Sequence, residues 1–421
     1  MGTTTRPASP LRWAREGNAE GLDGRLLRAL AGRVGPAAVR FSLGAASALA
    51  GEGPPVATIR FKDRKTLLAL ALDPVDRFGD AYAEGRIEVE GDLILALISV
   101  YRALEAKPGP SIVQRLGRYV PHTLPGDRKS VQHHYDLGND FYRLWLDERL
   151  LYTCAYFESP ELSLEDAQVA KMELVCRKLG LRPGETVIEA GCGWGAFALH
   201  MAKHHGVRVR AYNVSTEQIA WARAQAERQK LTSRVEFVQS DYRGIEGRCD
   251  AFVSLGMLEH VGLANYHELA RVLTRTLDRT RGRGLLHFIG RDRPQPLDRW
   301  IRRRIFPGAY APTLDEACRG VLVPAGMSVI DVENLRPHYS LTLLHWRERF
   351  ERAVAENRVG FDERFRRMWR LYLAGSEAAF RTGWMQLFQV VFAPAGSVGA
   401  PQTRDALYRT SEGLHWNEPT S

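Results

Sequence analysis

The sequence predicts two folded units, a small α+β domain followed by a larger α/β domain built on a parallel sheet. Three observations carry that prediction. Five short apolar or β-branched runs alternate with helix-period segments across residues 131–394, the pattern of strands joined by crossover helices. Residues 21–108 change pattern over short distances, as a compact mixture of short elements does. A turn holding three glycines, VIEAGCGWG at residues 187–195, follows the first run of the larger unit.

Residues 1–20 are polar and rich in Thr, Pro and Arg, and a flexible terminus is expected there. LDGRLLRALAGRV (22–34) has helical spacing and VATIRFKD (56–63) alternates like a strand. LLALALDP (67–74) and RIEVEG (86–91) are further short elements punctuated by Asp, Pro and Gly. The proline-rich, basic stretch at 109–130 reads as a linker. In the larger unit TVIEAG (186–191), VRVRAYNV (207–214), RVEFVQSD (234–241), CDAFVSLG (249–256) and GLLHFIG (284–290) are the predicted strands. Segments such as STEQIAWARAQAERQKL (215–231) and NYHELARVLTRTL (265–277) are the helices that would cover both faces of the sheet. Residues 395–421 lose periodicity and are expected to form a disordered tail.

The chain of 421 residues is 45% apolar and 25% charged, which excludes a disordered protein. Its net charge of +9 favours an anionic partner, either nucleic acid or an acidic membrane surface. Five widely spaced cysteines with no C-x-x-C pair argue against a disulfide framework and a thiolate zinc site, so no metal and a reducing cytoplasm are expected. The N-terminus lacks the apolar core of a signal peptide, and apolar runs such as LILALISV (93–100) fall short of the roughly 18 residues of a membrane span. Membrane contact would therefore be peripheral.

The glycine turn discriminates between ligands. A phosphate-cradling P-loop would need Lys followed by Ser or Thr, and neither pair follows Gly195. A dinucleotide site would need its third glycine one residue later and an acid at the end of the second strand, where Ala211, Tyr212 and Asn213 stand. S-adenosylmethionine remains. Bare glycine backbone lets its methionyl part approach closely, and Glu189 can attract its ammonium.

The motifs then converge. HYDLGNDFYRLWLDERLLYTCAYF (134–157), GCGWG (191–195), VSTEQ (214–218), MLEHVG (257–262), LLHFIG (285–290), IFPGAY (305–310) and HYSLTLLHW (338–346) together resemble the cyclopropane-fatty-acyl-phospholipid synthase family, which includes the mycolic acid cyclopropane synthases. The resemblance implies a Rossmann-like class I S-adenosylmethionine methyltransferase domain over 131–394, with the N-terminal α+β domain over 21–108 binding lipid. It implies transfer of a methylene group from S-adenosylmethionine to the cis double bond of an unsaturated phospholipid acyl chain. A carbocation would form and lose a proton to a bound bicarbonate ion. The alternative is C-methylation ending at a methyl- or methylene-branched chain.

By the same resemblance Cys154, Glu259, His287, Ile289 and Tyr339 would hold bicarbonate, Ile289 through its backbone N–H. The cofactor would lie against Tyr152 and Thr153, along Glu189, Gly191, Cys192, Gly193, Trp194 and Gly195, near Asn213, Ser215 and Gln218, and under Asp241, Tyr242 and Arg243. Read alone, several of these have plain structural explanations. Cys154 among aromatics fits a small core hydrophobe, His287 a satisfied core histidine, and Tyr339 a packed ring with a bonded hydroxyl. The second cofactor segment also departs from the family's usual Gly-(Leu/Ile)-Thr-(Leu/Val)-Ser, reading Ala-Tyr-Asn-Val-Ser at 211–215.

Residues 281–310 hold eight arginines and two aspartates, a net +6, and DRWIRRRIFPG (298–308) interleaves Trp300, Ile301, Ile305 and Phe306 with arginine. That pattern suits a segment lying on an anionic bilayer. The expected partners are unsaturated phospholipid, an anionic membrane surface and a second copy of the chain, and not nucleic acid, for which no dedicated motif is present. The expected location is the cytoplasm, at the inner face of the membrane.

Overall fold

The computed structural model describes residues 21–35, 37–105, 137–399 and 403–404, so the expected flexible terminus (1–20), linker (109–130) and most of the expected tail lie outside the described residues. The chain divides into two compact units.

The first is built on a four-stranded sheet of β1 (Val39–Leu43), β2 (Ala46–Ala50), β3 (Ala57–Phe61) and β4 (Ile87–Gly91), in the order β2-β1-β3-β4. β1 runs parallel to β3, and the other two pairings are antiparallel. Alternation along β3 sends Ala57, Ile59 and Phe61 into the core and leaves Arg60 exposed. Leu27 from the helix Leu22–Ala31 and Leu67 from the helix Arg64–Leu72 close that core. Asp63 caps the second helix, its carboxylate accepting from Thr66 N–H at 2.7 Å.

The unit is not contiguous in sequence. It also takes in residues 298–300 and 360–384, so the domain expected to run unbroken over 131–394 is interrupted. The helix Glu363–Thr382 packs on the helices Leu93–Glu105 and Pro74–Ala83. Its Arg367 explains part of this: the guanidinium donates to the carbonyls of Tyr82 and Ile87 at 2.6 and 2.7 Å, pairs with Glu88, and lies over the Tyr82 ring. Trp300 sits where a side chain on Gly79 would collide with its indole. Trp300 and Ile305 are both buried and Ile301 and Phe306 half-buried, so the apolar residues of the arginine run face inward, contrary to their expected exposure to lipid. Arg299 and Arg303 remain exposed.

The second unit holds a seven-stranded sheet of β5 (Thr186–Ala190), β6 (Arg208–Asn213), β7 (Val235–Gln239), β8 (Ala251–Leu255), β9 (Arg283–Gly290), β10 (Met327–Asn334) and β11 (Gln386–Pro394). Its order is β10-β11-β9-β8-β5-β6-β7. The five predicted strands are present and parallel. Two further strands extend the sheet beyond the five that were read from the sequence: β11 pairs antiparallel with β9, and β10 antiparallel with β11, so β11 runs against the five and β10 runs with them. Every residue of β11 is buried, so it shows no inside-outside alternation. Separate apolar cores cover the two faces, one formed with the helices Leu164–Leu179, Ala196–His204 and Thr216–Arg228, the other with Tyr266–Thr276 and residues 317–325. This is a Rossmann-like architecture. From β5 the chain winds outward through β6 and β7, then returns to β8 on the other side. That reversal opens a crevice at the carboxyl ends of β5 and β8. Among the described residues no helix is long and apolar enough to cross a membrane.

Candidate active site

The crevice forms a cleft between the glycine turn and the ends of β6, β7 and β8. Of the fourteen expected cofactor residues, all but Gly195 and Ser215 line it. Those two do other work. A Cβ on Gly195, whose φ is +83°, would stand 2.6 Å from Phe237 and 2.7 Å from Ala222, so this glycine lets the helix Ala196–His204 start against the sheet. Ser215 caps the helix Thr216–Arg228, its Oγ accepting from Gln218 N–H. Gly193 is the complementary case: its φ is +53° and a Cβ there would meet nothing, so its backbone is bare toward open space.

At the methionyl end Glu189 is 2% exposed, and one of its carboxylate oxygens has no hydrogen-bond partner. Burial pushes its pKa up, and the buried ammonium of Lys171 opposes that. Lys171 is fully buried, donates to Thr153 Oγ1 at 2.8 Å, and has its own pKa pushed down by the same burial. Gln168, on the same helix, donates to the Thr153 carbonyl at 2.9 Å. Thus Lys171 and Gln168 place Thr153 on the cleft wall. The sequence reading missed both, because a Lys or Gln in a helical run normally sits on a solvated face.

Farther along, Asn213 Nδ2 donates to Gln218 Oε1 at 2.7 Å and to the Gly193 carbonyl at 3.1 Å. This ties the second cofactor segment to the glycine turn and leaves the buried Gln218 Nε2 without a protein partner. Asp241 binds Arg243 through both its backbone N–H and its guanidinium, and the guanidinium lies over the Tyr242 ring. Met257 and His260 also line the cleft and were not anticipated. A buried acid and a buried amide, each with one atom lacking a protein partner, and a bare glycine turn fit the ammonium, hydroxyl-bearing and methionyl parts of S-adenosylmethionine.

Glu259 lies in the short helix Leu258–Val261 that follows β8. Its Oε1 accepts from Ile289 N–H at 2.6 Å, while its buried Oε2 has no partner. Burial pushes its pKa up to about 7, against the bond from Ile289. The Ile289 N–H expected to face bicarbonate is therefore taken by Glu259, since a buried carboxylate holds the nearest donor. His287 is two residues before Ile289 on β9, on the same face. Gln389, directly across on β11, stands with Nε2 at 3.1 Å from His287 Nδ1. Gln389 Oε1 accepts from Lys178 at 2.6 Å, and Lys178 pairs with Glu333. Because an ammonium can only donate, the Gln389 oxygen faces Lys178 and its NH2 faces His287. Burial, reinforced by Lys171 and Lys178, holds the imidazole pKa well below its usual value. The ring is then neutral, accepts at Nδ1 and carries its proton on Nε2.

Cys154 is fully buried, and burial pushes its thiol pKa far up. Its Sγ donates to the Ala155 carbonyl at 3.1 Å and reaches the Leu335 carbonyl at 4.0 Å; the latter also accepts from Tyr339 N–H. So Cys154 and Tyr339 share an anchor, Glu259 and Ile289 are bonded, and His287 adjoins Ile289. The charge of Lys171 acts on Cys154, Glu189 and His287 alike. An aromatic chain runs from Trp194 through Tyr142, Tyr152 and Trp346 to Tyr339, with neighbouring ring centroids 5.0–5.9 Å apart. It joins the glycine turn to the Tyr339 side of the site.

The family model of mycolic acid cyclopropane synthetase matches residues 122–390. A probable fatty acid methyltransferase of Pseudomonas putida is 35% identical over 371 residues, covering 85% of this chain and 93% of that protein. The cyclopropane-fatty-acyl-phospholipid synthase of Escherichia coli (strain K12) is 38% identical over 260 residues, covering 62% of this chain and 66% of that protein. Among solved structures, mycolic acid cyclopropane synthase CmaA1 complexed with SAH and CTAB superposes with a TM-score of 0.60 at 29% identity, covering 65% of this chain and 99% of that one.

Proposed function

From the premise that this chain belongs to the mycolic acid cyclopropane synthetase family and is an S-adenosylmethionine-dependent methyltransferase of lipid acyl chains, we propose that it cyclopropanates unsaturated phospholipid chains, with bound bicarbonate as the base. S-adenosylmethionine supplies an electrophilic methyl group. The remaining requirements fall on the protein: an alkene is a weak nucleophile, so it must be aligned with that methyl and kept from water. The buried aromatic chain from Trp194 to Tyr339 supports this, offering apolar walls and ring faces toward positive charge.

The observation that carries the reading is Glu259. One carboxylate oxygen is fixed by Ile289 and the other is buried without a partner, while His287 carries a proton on Nε2. An acceptor bonded to Ile289, with a neutral donor two residues before it on the same face of β9, suits an ion such as bicarbonate, which both donates and accepts. Ring closure needs that base to take a proton from the newly added methyl. Phospholipid would be met at an anionic membrane surface, with the exposed Arg299 and Arg303 supplying attraction.

A second reading, C-methylation to a branched chain, is favoured by one finding: the relative that matches the chain over 93% of its own length is named a probable fatty acid methyltransferase. Mass spectrometry and NMR of fatty acid methyl esters, after incubation with monounsaturated phospholipid vesicles and methyl-labelled S-adenosylmethionine, separates the two. A gain of one CH2 with loss of the alkene and a ring signature supports cyclopropanation. The same gain with a retained alkene or an open branch overturns it.

A further inference from the structure

Where the helix Leu164–Leu179 meets the helix Ala196–His204, four side chains come together that the activity above does not use. Glu173 and Cys176 are one turn apart on that helix. His200 lies on the helix Ala196–His204, and His205 ends it. The Cys176 sulfur and one ring nitrogen from each histidine lie within 4.8 Å of one another. Glu173 bridges both rings, at 2.6 Å from His200 Nε2 and 3.2 Å from His205 Nε2.

We propose that Cys176, His200 and His205 form a binding site for a divalent cation of the zinc class, with Glu173 orienting the two imidazoles. Sulfur with two imidazole nitrogens is a zinc-type donor set. Glu173 bonds both rings and so fixes their orientation. One thiolate and one carboxylate balance a dication. Zinc bonds of about 2.0–2.3 Å would place the donors roughly 3.5 Å apart, so side-chain shifts of about 1 Å complete the geometry. Glu173 and His200 line a surface groove with His204 and Arg177, while Cys176 is buried. The expectation of no thiolate zinc site rested on the missing C-x-x-C pair, and here the donors come from two helices. A cation would pin the helix that carries Lys171 to the helix that starts at the glycine turn. The inference is independent of the product formed.

The test is titration of the chelator-treated full chain with Co2+, without S-adenosylmethionine. The expected result is one equivalent bound with a thiolate-to-cobalt charge-transfer absorption, displaced by Zn2+, absent in Cys176→Ser and kept in Cys318→Ser. His205→Gln, at a helix end, covers the case in which Cys176→Ser does not fold. It should weaken Co2+ binding by roughly tenfold or more and abolish a zinc-induced rise in Tm. No charge-transfer absorption in the unaltered chain, or unchanged binding in His205→Gln, overturns the proposal and leaves an ion-pair network.

Discussion

Gln389 Nε2 stands 3.1 Å from His287 Nδ1, directly across the β9–β11 pairing, and its other end is held by Lys178. This relay from Glu333 through Lys178 and Gln389 decides which imidazole nitrogen carries the proton. Gln389→Leu should remove that control and lower kcat by roughly 10- to 100-fold with little change in cofactor affinity. Gln389→Glu should reverse it, because a carboxylate accepts and so draws the proton to Nδ1. Nitrogen NMR of labelled histidine reads the tautomer directly: an unchanged tautomer in Gln389→Glu would remove the positioning role.

Glu259 sets a pH dependence. Its folded pKa of about 7 stands above the ordinary 4.5, so the folded state holds the proton more tightly than the unfolded chain. Stability from this group is therefore fully present below about pH 4.5 and is lost as pH rises to about 7, by roughly 3 kcal/mol. Activity should move the opposite way, since the ionised carboxylate is the acceptor: kcat/KM should rise through about pH 7. Glu259→Gln should abolish most product formation and the acid limb, leave cofactor binding nearly unchanged, and make the protein more stable than wild type at pH 8. Product assays across pH, denaturation at pH 5 and pH 8, and calorimetry with S-adenosylmethionine check these outcomes, and parallel loss of binding and product would count against the assigned role.

Burial pushes the Glu189 pKa up, and the charge of Lys171 opposes that shift. Lys171→Met should push the Glu189 pKa higher still, so that at neutral pH less of it is ionised to meet the cofactor ammonium. Cofactor affinity should fall by about tenfold at pH 7 and recover on raising the pH. A loss independent of pH would mean that Lys171 acts only by holding Thr153.

What the sequence made legible follows from locality. The runs that became β5 to β9 announce themselves because buried parallel strands are continuous in Val, Ile, Leu and Phe. Glu259, His287 and the glycine turn lie within short motifs. Gln389, Lys178 and Glu333 were invisible because they come from three elements far apart in sequence and look like ordinary surface polar residues until β11 is placed. Cys176, His200 and His205 were hidden for the same reason. Arg367 and its helix were assigned to the larger unit by position alone, yet their partners Tyr82, Ile87 and Glu88 lie nearly 300 residues earlier in the chain. Ile289 shows a different limit: the residue was identified, but its N–H is taken up by Glu259, 30 residues away in sequence.

The inward turn of Trp300 and Ile305 changes what membrane attraction should look like. With those side chains in the protein core, the segment 298–308 contributes charge and little apolar insertion. Basic residues near an anionic surface contribute about 1 kcal/mol each, so replacing Arg302, Arg303 and Arg304 together with Gln should weaken binding to anionic vesicles by up to about 3 kcal/mol, near 100-fold. The effect should be largest at low salt and shrink as the screening length falls. Sedimentation with vesicles of mixed anionic and zwitterionic lipid over a salt series measures this. Partitioning unchanged by the triple replacement would retire the segment as a membrane contact, and binding that resists salt would point to apolar insertion elsewhere on the protein.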